Sequence, residues 1–173
     1  PIMLADDLHV AEVVTWGNDR GDQRKIPEKQ PLINQFDGNR YYRLGVGRLD
    51  ASGAELLIAG AAKPLILTEK DDLAWSTLLA PLRESEDTSI DLTSPTWWDM
   101  PLLVAHGLVD TIEVAHRQLT RDTTIDNESG MHPRNRSRYL GPIGVGQWSS
   151  DVYFQLLETG LRVPPTAGSA SGL

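Results

Sequence analysis

The stretch WWDMPLLVAHGLVDTIEVAH, Trp97 to His116, constrains this chain more than any other, because it holds a short helix and a strand with almost nothing between them. Asp99 has the chemistry of an N-cap, Pro101 suits the first turn, and Gly107 can take the left-handed conformation that closes a helix. Leu102 to Ala105 are too uniformly apolar for a solvated helix, and Val109, Ile112 and Val114 read as a buried strand. A helix handed straight to a strand is the second half of a βαβ unit. Parallel sheets gather ligands at the carboxyl ends of their strands, here Ser94 to Asp99 before the helix and His116 to Gln118 after the strand.

The rest of the chain repeats the alternation. Val10 to Thr15 is a β-branched strand, and Trp16 to Arg20 forms a loop at its end. Residues 17 to 40 lack periodicity and read as a long irregular excursion. Tyr41–Val46 and Glu55–Ala59 are expected to pair as a hairpin across the turn at 50–53. Asp71 to Arg83 is a helix that Pro81 should shorten or kink, and Ser89 to Thr93 is a short strand. A second long loop, 117–147, precedes a helix capped by Ser149 or Ser150, with Trp148, Val152, Tyr153, Leu156 and Leu157 on one face and Gly160 as its stop. Leu161 to Val163 and its continuation form the final strand. Strands alternating with helices predict one α/β domain over 1–173 with a parallel sheet, open or closed as a barrel.

Composition narrows the function. The chain has 173 residues, 40% of them hydrophobic, enough for a real core, and no apolar run approaches a membrane span. Sixteen basic residues against 24 acidic ones give a net charge of −8, which argues against a broad phosphate-backbone surface and so against nucleic acid. There is no cysteine, hence no disulfide framework or thiolate site. The opening PIMLADDLHV lacks the basic and apolar regions of a signal peptide. Both ends read as cut, consistent with an internal segment of a longer protein.

Four constellations carry potential chemistry. Asp110, Glu113, His116 and Gln118 contain ligand and base types, but strand alternation turns Glu113 away from His116; the competing reading is one buried, satisfied carboxylate and a loop histidine. Trp97, Trp98 and Asp99 either floor a sugar or aromatic pocket or seal a barrel mouth, with Asp99 as a cap. Arg134, Arg136 and Arg138 lie in a stretch without acids and either clamp an anion or form a solvated loop. Gly168 to Gly172 offers backbone N–H groups without a following helix.

Three segments, DDLHVAEVVTWGND, WWDMPLLVAHGLVDTIEVA and QWSSDVYFQLLETGLRVPPTAGSASG, resemble the CehA/McbA-type metallohydrolases of the polymerase-and-histidinol-phosphatase (PHP) superfamily. The resemblance covers most of the chain and is strongest in 97–116 and 147–172. It implies a distorted parallel β/α barrel, a cluster of divalent metal such as zinc, manganese or iron, and hydrolysis of small ester, amide or phosphoester bonds. Carried over residue by residue, most ligand positions are replaced. Gly17 stands where a T-D-H-N motif has its histidine, and Gly45-Val46-Gly47-Arg48 stands where a G-E-E-type strand is expected. Ser94 precedes Pro95 in place of histidine, Gln118 takes another histidine position, and Gly168 to Gly172 replace G-S-D-A-H. An H-x-H pair would lie before Pro1.

The resemblance and the strand-end positions together nominate a remodelled, metal-poor site. Asp99 or His116 is the expected base and Arg121 the anion-holding group. Trp16, Asn18, Trp98, Gln118 and Ser169 are expected to line the substrate pocket. A small molecule is the expected partner, with neither nucleic acid nor membrane. The alternative is a non-catalytic β/α barrel that binds a carbohydrate or small anion through Trp97, Trp98 and the arginines.

Overall fold

A computed structural model describes residues 2–5, 7–17, 33–51, 54–61, 63–65, 74–84, 87–116, 118–119 and 131–168. The elements in chain order are α1 (Ile2–Ala5), β1 (Val10–Gly17), β2 (Ile33–Phe36), β3 (Arg40–Ala51), β4 (Ala54–Ala59), α2 (Trp75–Arg83), β5 (Ser89–Leu92), α3 (Met100–Ala105), β6 (Thr111–Ala115), α4 (Ile143–Glu158) and β7 (Pro165–Ala167). They form a mixed α/β structure around one seven-stranded sheet, in the order β1-β3-β4-β5-β6-β7 with β2 also paired to β3. The pairs β1/β3, β5/β6 and β6/β7 are parallel, and β2/β3, β3/β4 and β4/β5 are antiparallel. Five strands therefore run the same way, opposed by β2 and β4, and the described sheet is not closed.

Register sorts the two faces. Leu49, Leu56, Leu92 and Ile112 are successive cross-strand partners and form one apolar row. They join Leu79 and Leu82 of α2, Met100, Leu103 and Val104 of α3, and Leu156 of α4 in a single buried cluster, so these helices cover one face of the sheet. Fully burying each such side chain contributes on the order of 2 kcal/mol. The next row on the opposite face, Arg48, Leu57, Asp91 and Thr111, is largely polar. This alternation holds charged groups beside the strand ends without placing them in the apolar layer.

The central unit folds as its sequence dictates. The Leu108 N–H reaches the Leu103 carbonyl at 2.8 Å and the Gly107 N–H reaches Val104 at 3.0 Å, with Gly107 at φ +63°, a Schellman closure. β6 then starts at Thr111. Asp99 sits at the N-cap position of α3, but its side chain does not cap. Its carboxylate instead accepts the Trp75 indole N–H at 3.2 Å.

Several expectations are revised. Part of the 17–40 excursion is strand: β2 turns into β3 through Asp37 (φ +49°) and Gly38 (φ +75°), an Asp-Gly hairpin signal. The hairpin with β4 uses the far end of β3, Gly47 to Ala51 against Ala54 to Ile58, because β3 is long enough to serve β1 and β2 first. α4 begins at Ile143 rather than beside Ser149. Gly144 lies so close to Tyr139 that a Cβ would come within 2.4 Å of its carbonyl group, so a glycine read as loop is a helix residue chosen for close approach. The last strand is Pro165–Ala167, in the expected continuation of Leu161–Val163, which itself is not strand, and Val163 is buried in the core. Pro81 does not end α2 early; the helix runs on to Arg83.

Candidate functional site

The strands that share a direction end at one rim. Gly17 closes β1, Thr93 and Ser94 follow β5, His116 and Gln118 lie just past β6, and Gly168 follows β7. At the β1 end the rim is filled. Trp16 is 1% exposed, and its indole N–H donates to the Gly45 carbonyl at 3.0 Å. Its ring lies on Gly47, where an added Cβ would come within 2.0 Å of the indole. A Cβ on Gly17 would fall 2.6 Å from the Arg48 carbonyl oxygen. Beside them the Arg48 guanidinium donates to Glu55 at 2.7 Å and to Asp50 at 3.3 Å.

At the β6 end, His116 is 2% exposed and its Nε2 lies 2.8 Å from the Ser149 hydroxyl of α4. This is the spacing of a nucleophile and its base, but the hydrogen-bond pattern has the wrong sense. The Gln118 N–H points to Nδ1 at 3.4 Å, so the proton of the neutral ring belongs on Nε2, which donates to Ser149 instead of accepting from it. Burial drives the His116 pKa down to about 4, so the ring is neutral at pH 7. His116 thus joins β6 to α4. Ser149→Ala should leave Nε2–H buried without a partner and cost about 1–3 kcal/mol, measurable as a lower urea midpoint with unchanged m-value.

A carboxyl pair spans β5 and β6. Asp91 accepts the hydroxyls of Thr111 and, at 2.8 Å, Thr166 of β7. Burial, then the charge of Asp91 and a hydrogen bond shared with it, raise the Glu113 pKa to about 8; burial also raises Asp91. The pair therefore retains a proton near neutrality. The Gly168 backbone lies against it, and a Cβ there would come within 2.4 Å of the Glu113 carboxylate.

The candidate residues thus separate. His116 and Gln118 come together, and Glu113 keeps to Asp91. Asp110 turns elsewhere, accepting from Arg83 and from the Ile90 N–H at 2.7 Å. Trp16 is buried, and Asp99 is engaged by Trp75 in a half-buried contact between α2 and α3. The tryptophan pair splits: Trp97 is 4% exposed, edge-on to Trp75, whereas Trp98 is 58% exposed. Asn18, Arg121 and Ser169 lie outside the described residues. Asp91, Ser149 and Thr166 were not singled out as site residues, although a lone aspartate between Ile90 and Leu92 in a short apolar strand was a usable signal.

The described donors do not assemble the implied metal cluster. Among the described residues no three histidine, aspartate or glutamate side chains are placed to hold an ion. Gly17 and Gly47, which only the resemblance would set at ligand positions, leave no room for a larger side chain without movement of Arg48 or Trp16. Among the same residues no helix is long and apolar enough to cross a membrane. Comparison with family models, curated proteins and solved structures returned no match.

Proposed function

We propose that this chain is a PHP-like hydrolase scaffold of the CehA/McbA type, for small ester, amide or phosphoester substrates, whose metal-binding rim has been rebuilt. In this reading the open sheet is part of a distorted β/α barrel. The observation that carries it is the common position of the residues nominated by the resemblance. Gly17, Ser94, Gln118 and Gly168 each end or closely follow a strand of the same direction, where β/α enzymes hold their catalytic groups. The rebuilding is read from Trp16 seated on Gly47 and from the Arg48–Glu55 pair, which put an indole and a satisfied ion pair where ligands are expected. No catalytic step is assigned through a metal, because the donors among the described residues do not fit one.

Metal content tests this directly. Protein purified without chelator should contain far less than one equivalent of zinc, manganese or iron, and Gln118→His, which sets a second imidazole beside His116, should raise metal uptake. Stoichiometric metal in the parent would overturn the rebuilt-rim reading. A variant that gains no metal would overturn the alignment of Gln118 with a ligand position.

A further inference from the structure

Beside the rim, the residues after β5, the 131–140 loop and α4 together hold a string of rings. Trp98 packs on His132 with centroids 4.4 Å apart, His132 lies 5.8 Å from Trp148, and Trp148 lies 5.2 Å from Tyr139. The string is fixed by backbone and side-chain hydrogen bonds. The His132 N–H donates to the Thr96 carbonyl at 2.7 Å, and the Trp148 indole donates to the His132 carbonyl at 3.3 Å. Asn135 orders the loop by accepting from the Ser137 N–H at 3.0 Å, the Ser137 hydroxyl at 2.6 Å and the Arg138 N–H at 3.3 Å.

Two properties of this ledge point to a ligand. First, Trp98 stays 58% exposed although its neighbour Trp97 is buried, so the chain keeps a large aromatic surface in water at an ordered place. Second, the loop that holds the ledge is rich in arginine on an acidic protein, with Asp151 of α4 accepting from the Tyr139 hydroxyl at 2.7 Å. No Asp or Glu occurs from Ser129 to Ser150, whereas the chain as a whole carries a net charge of −8. Arg138 is 67% exposed, with its guanidinium 5.1 Å from the Tyr139 centroid, and Arg136 is exposed. The contact of Arg138 with Asp151 is 3.3 Å long and exposed, weak enough for an anion to compete with it.

We infer that this ledge binds an acidic carbohydrate, a chain of pyranose rings carrying sulfate or carboxylate groups. The C–H face of a pyranose packs on an exposed indole, and guanidinium groups pair with oxyanions. Net negative charge elsewhere repels a polyanion, which confines binding to this loop and disfavours the broad backbone contacts that nucleic acid needs. The inference rests on the ledge alone and stands whether or not the rim hydrolyses anything.

Affinity electrophoresis of the whole chain through gels containing dextran sulfate, polygalacturonate, neutral dextran or single-stranded DNA tests it. At least one acidic polysaccharide should retard the protein, and neutral dextran and DNA should retard it much less. Trp98→Ala should raise the Kd about tenfold and Arg138→Gln several-fold, with urea midpoints unchanged as expected for exposed side chains. Equal retardation by neutral dextran or by DNA, no retardation by either acidic polymer, or indifference to both substitutions would overturn the inference.

Discussion

Trp16→Ala should destabilise the fold by about 3–5 kcal/mol, the largest effect expected of any single truncation at the rim. The indole is 1% exposed, fills the space above Gly47 and spends its N–H on the Gly45 carbonyl. Removing it leaves a cavity and an acceptor without its donor. The partner position supplies the control. Gly47→Ala alone should also destabilise strongly, because its Cβ would enter the indole ring at 2.0 Å and the rigid ring has no flexible end to move aside. In a Trp16→Ala background the collision is gone, and the added methyl group partly refills the void. Urea denaturation of the two single variants and the double variant should therefore show a coupling of more than about 1 kcal/mol, with the double variant more stable than the two costs added together. Simple additivity would mean that Trp16 and Gly47 do not form one packed unit.

Stability should form a plateau between about pH 4.5 and 6.5 and fall on both sides, through two groups of opposite sign. The Glu113 pKa is raised to about 8 from an ordinary 4.5. The folded state therefore holds more protons than the unfolded chain between these values, and the contribution of Glu113 declines as pH rises through that window. The His116 pKa is lowered to about 4 from 6.5. Its contribution is complete above 6.5 and is lost as pH falls toward 4, where the buried ring must charge. Between 4.5 and 6.5 the two slopes oppose each other, and outside that range one acts alone. The alkaline limb, from 6.5 to 8, is worth about 2 kcal/mol, and the acid limb, from 4.5 to 4, less than about 1 kcal/mol. Asp91, also raised, acts in the same direction as Glu113. Urea titrations at half-unit pH steps should show the plateau. Glu113→Gln keeps a donor for Asp91 and should remove the alkaline decline, and His116→Gln should flatten the acid limb. An unchanged alkaline limb in Glu113→Gln would show that this carboxyl pair does not hold the proton.

The carboxyl pair gives β7 a second tie to the sheet. β7 has only three residues, and the Thr166 hydroxyl reaches past β6 to Asp91 on β5. Ionising Glu113 places a second charge beside the acceptor that holds this crossing, so the alkaline loss of stability is expected to begin at β7. Amide exchange at the Ile112 N–H, which donates to the Pro164 carbonyl at 3.1 Å, would report it.

Much of the architecture was legible because it rests on local signals. Pro101 and Gly107 bound α3 as their φ preferences require, and Val10 to Thr15, Ser89 to Thr93 and the strand of the central unit are apolar or β-branched runs that suit a sheet. The Asp37–Gly38 turn was also written in the chain but was absorbed into an apparently structureless stretch. The start of α4 was misplaced because Gly144 and Gly146 look like loop residues. Only the approach of Gly144 to Tyr139 explains the first of them, and that contact does not exist in one dimension.

The site follows the same division. The sequence by itself determined a mixed α/β fold, the spacing of strand ends that puts His116 and Gln118 at a rim, and the absence of acids around the arginine loop. It could not determine which polar groups meet, because a hydrogen bond depends on elements brought together by packing. Tertiary structure turned Ser149 from an expected cap into the partner of His116, and Asp99 from a cap into the acceptor of Trp75. It also paired Glu113 with Asp91, 22 positions earlier in the chain, and sent Trp97 and Trp98 to opposite environments. Adjacent residues with the same side chain have the same local preferences, and only the surfaces that pack against them decide which is core and which faces water.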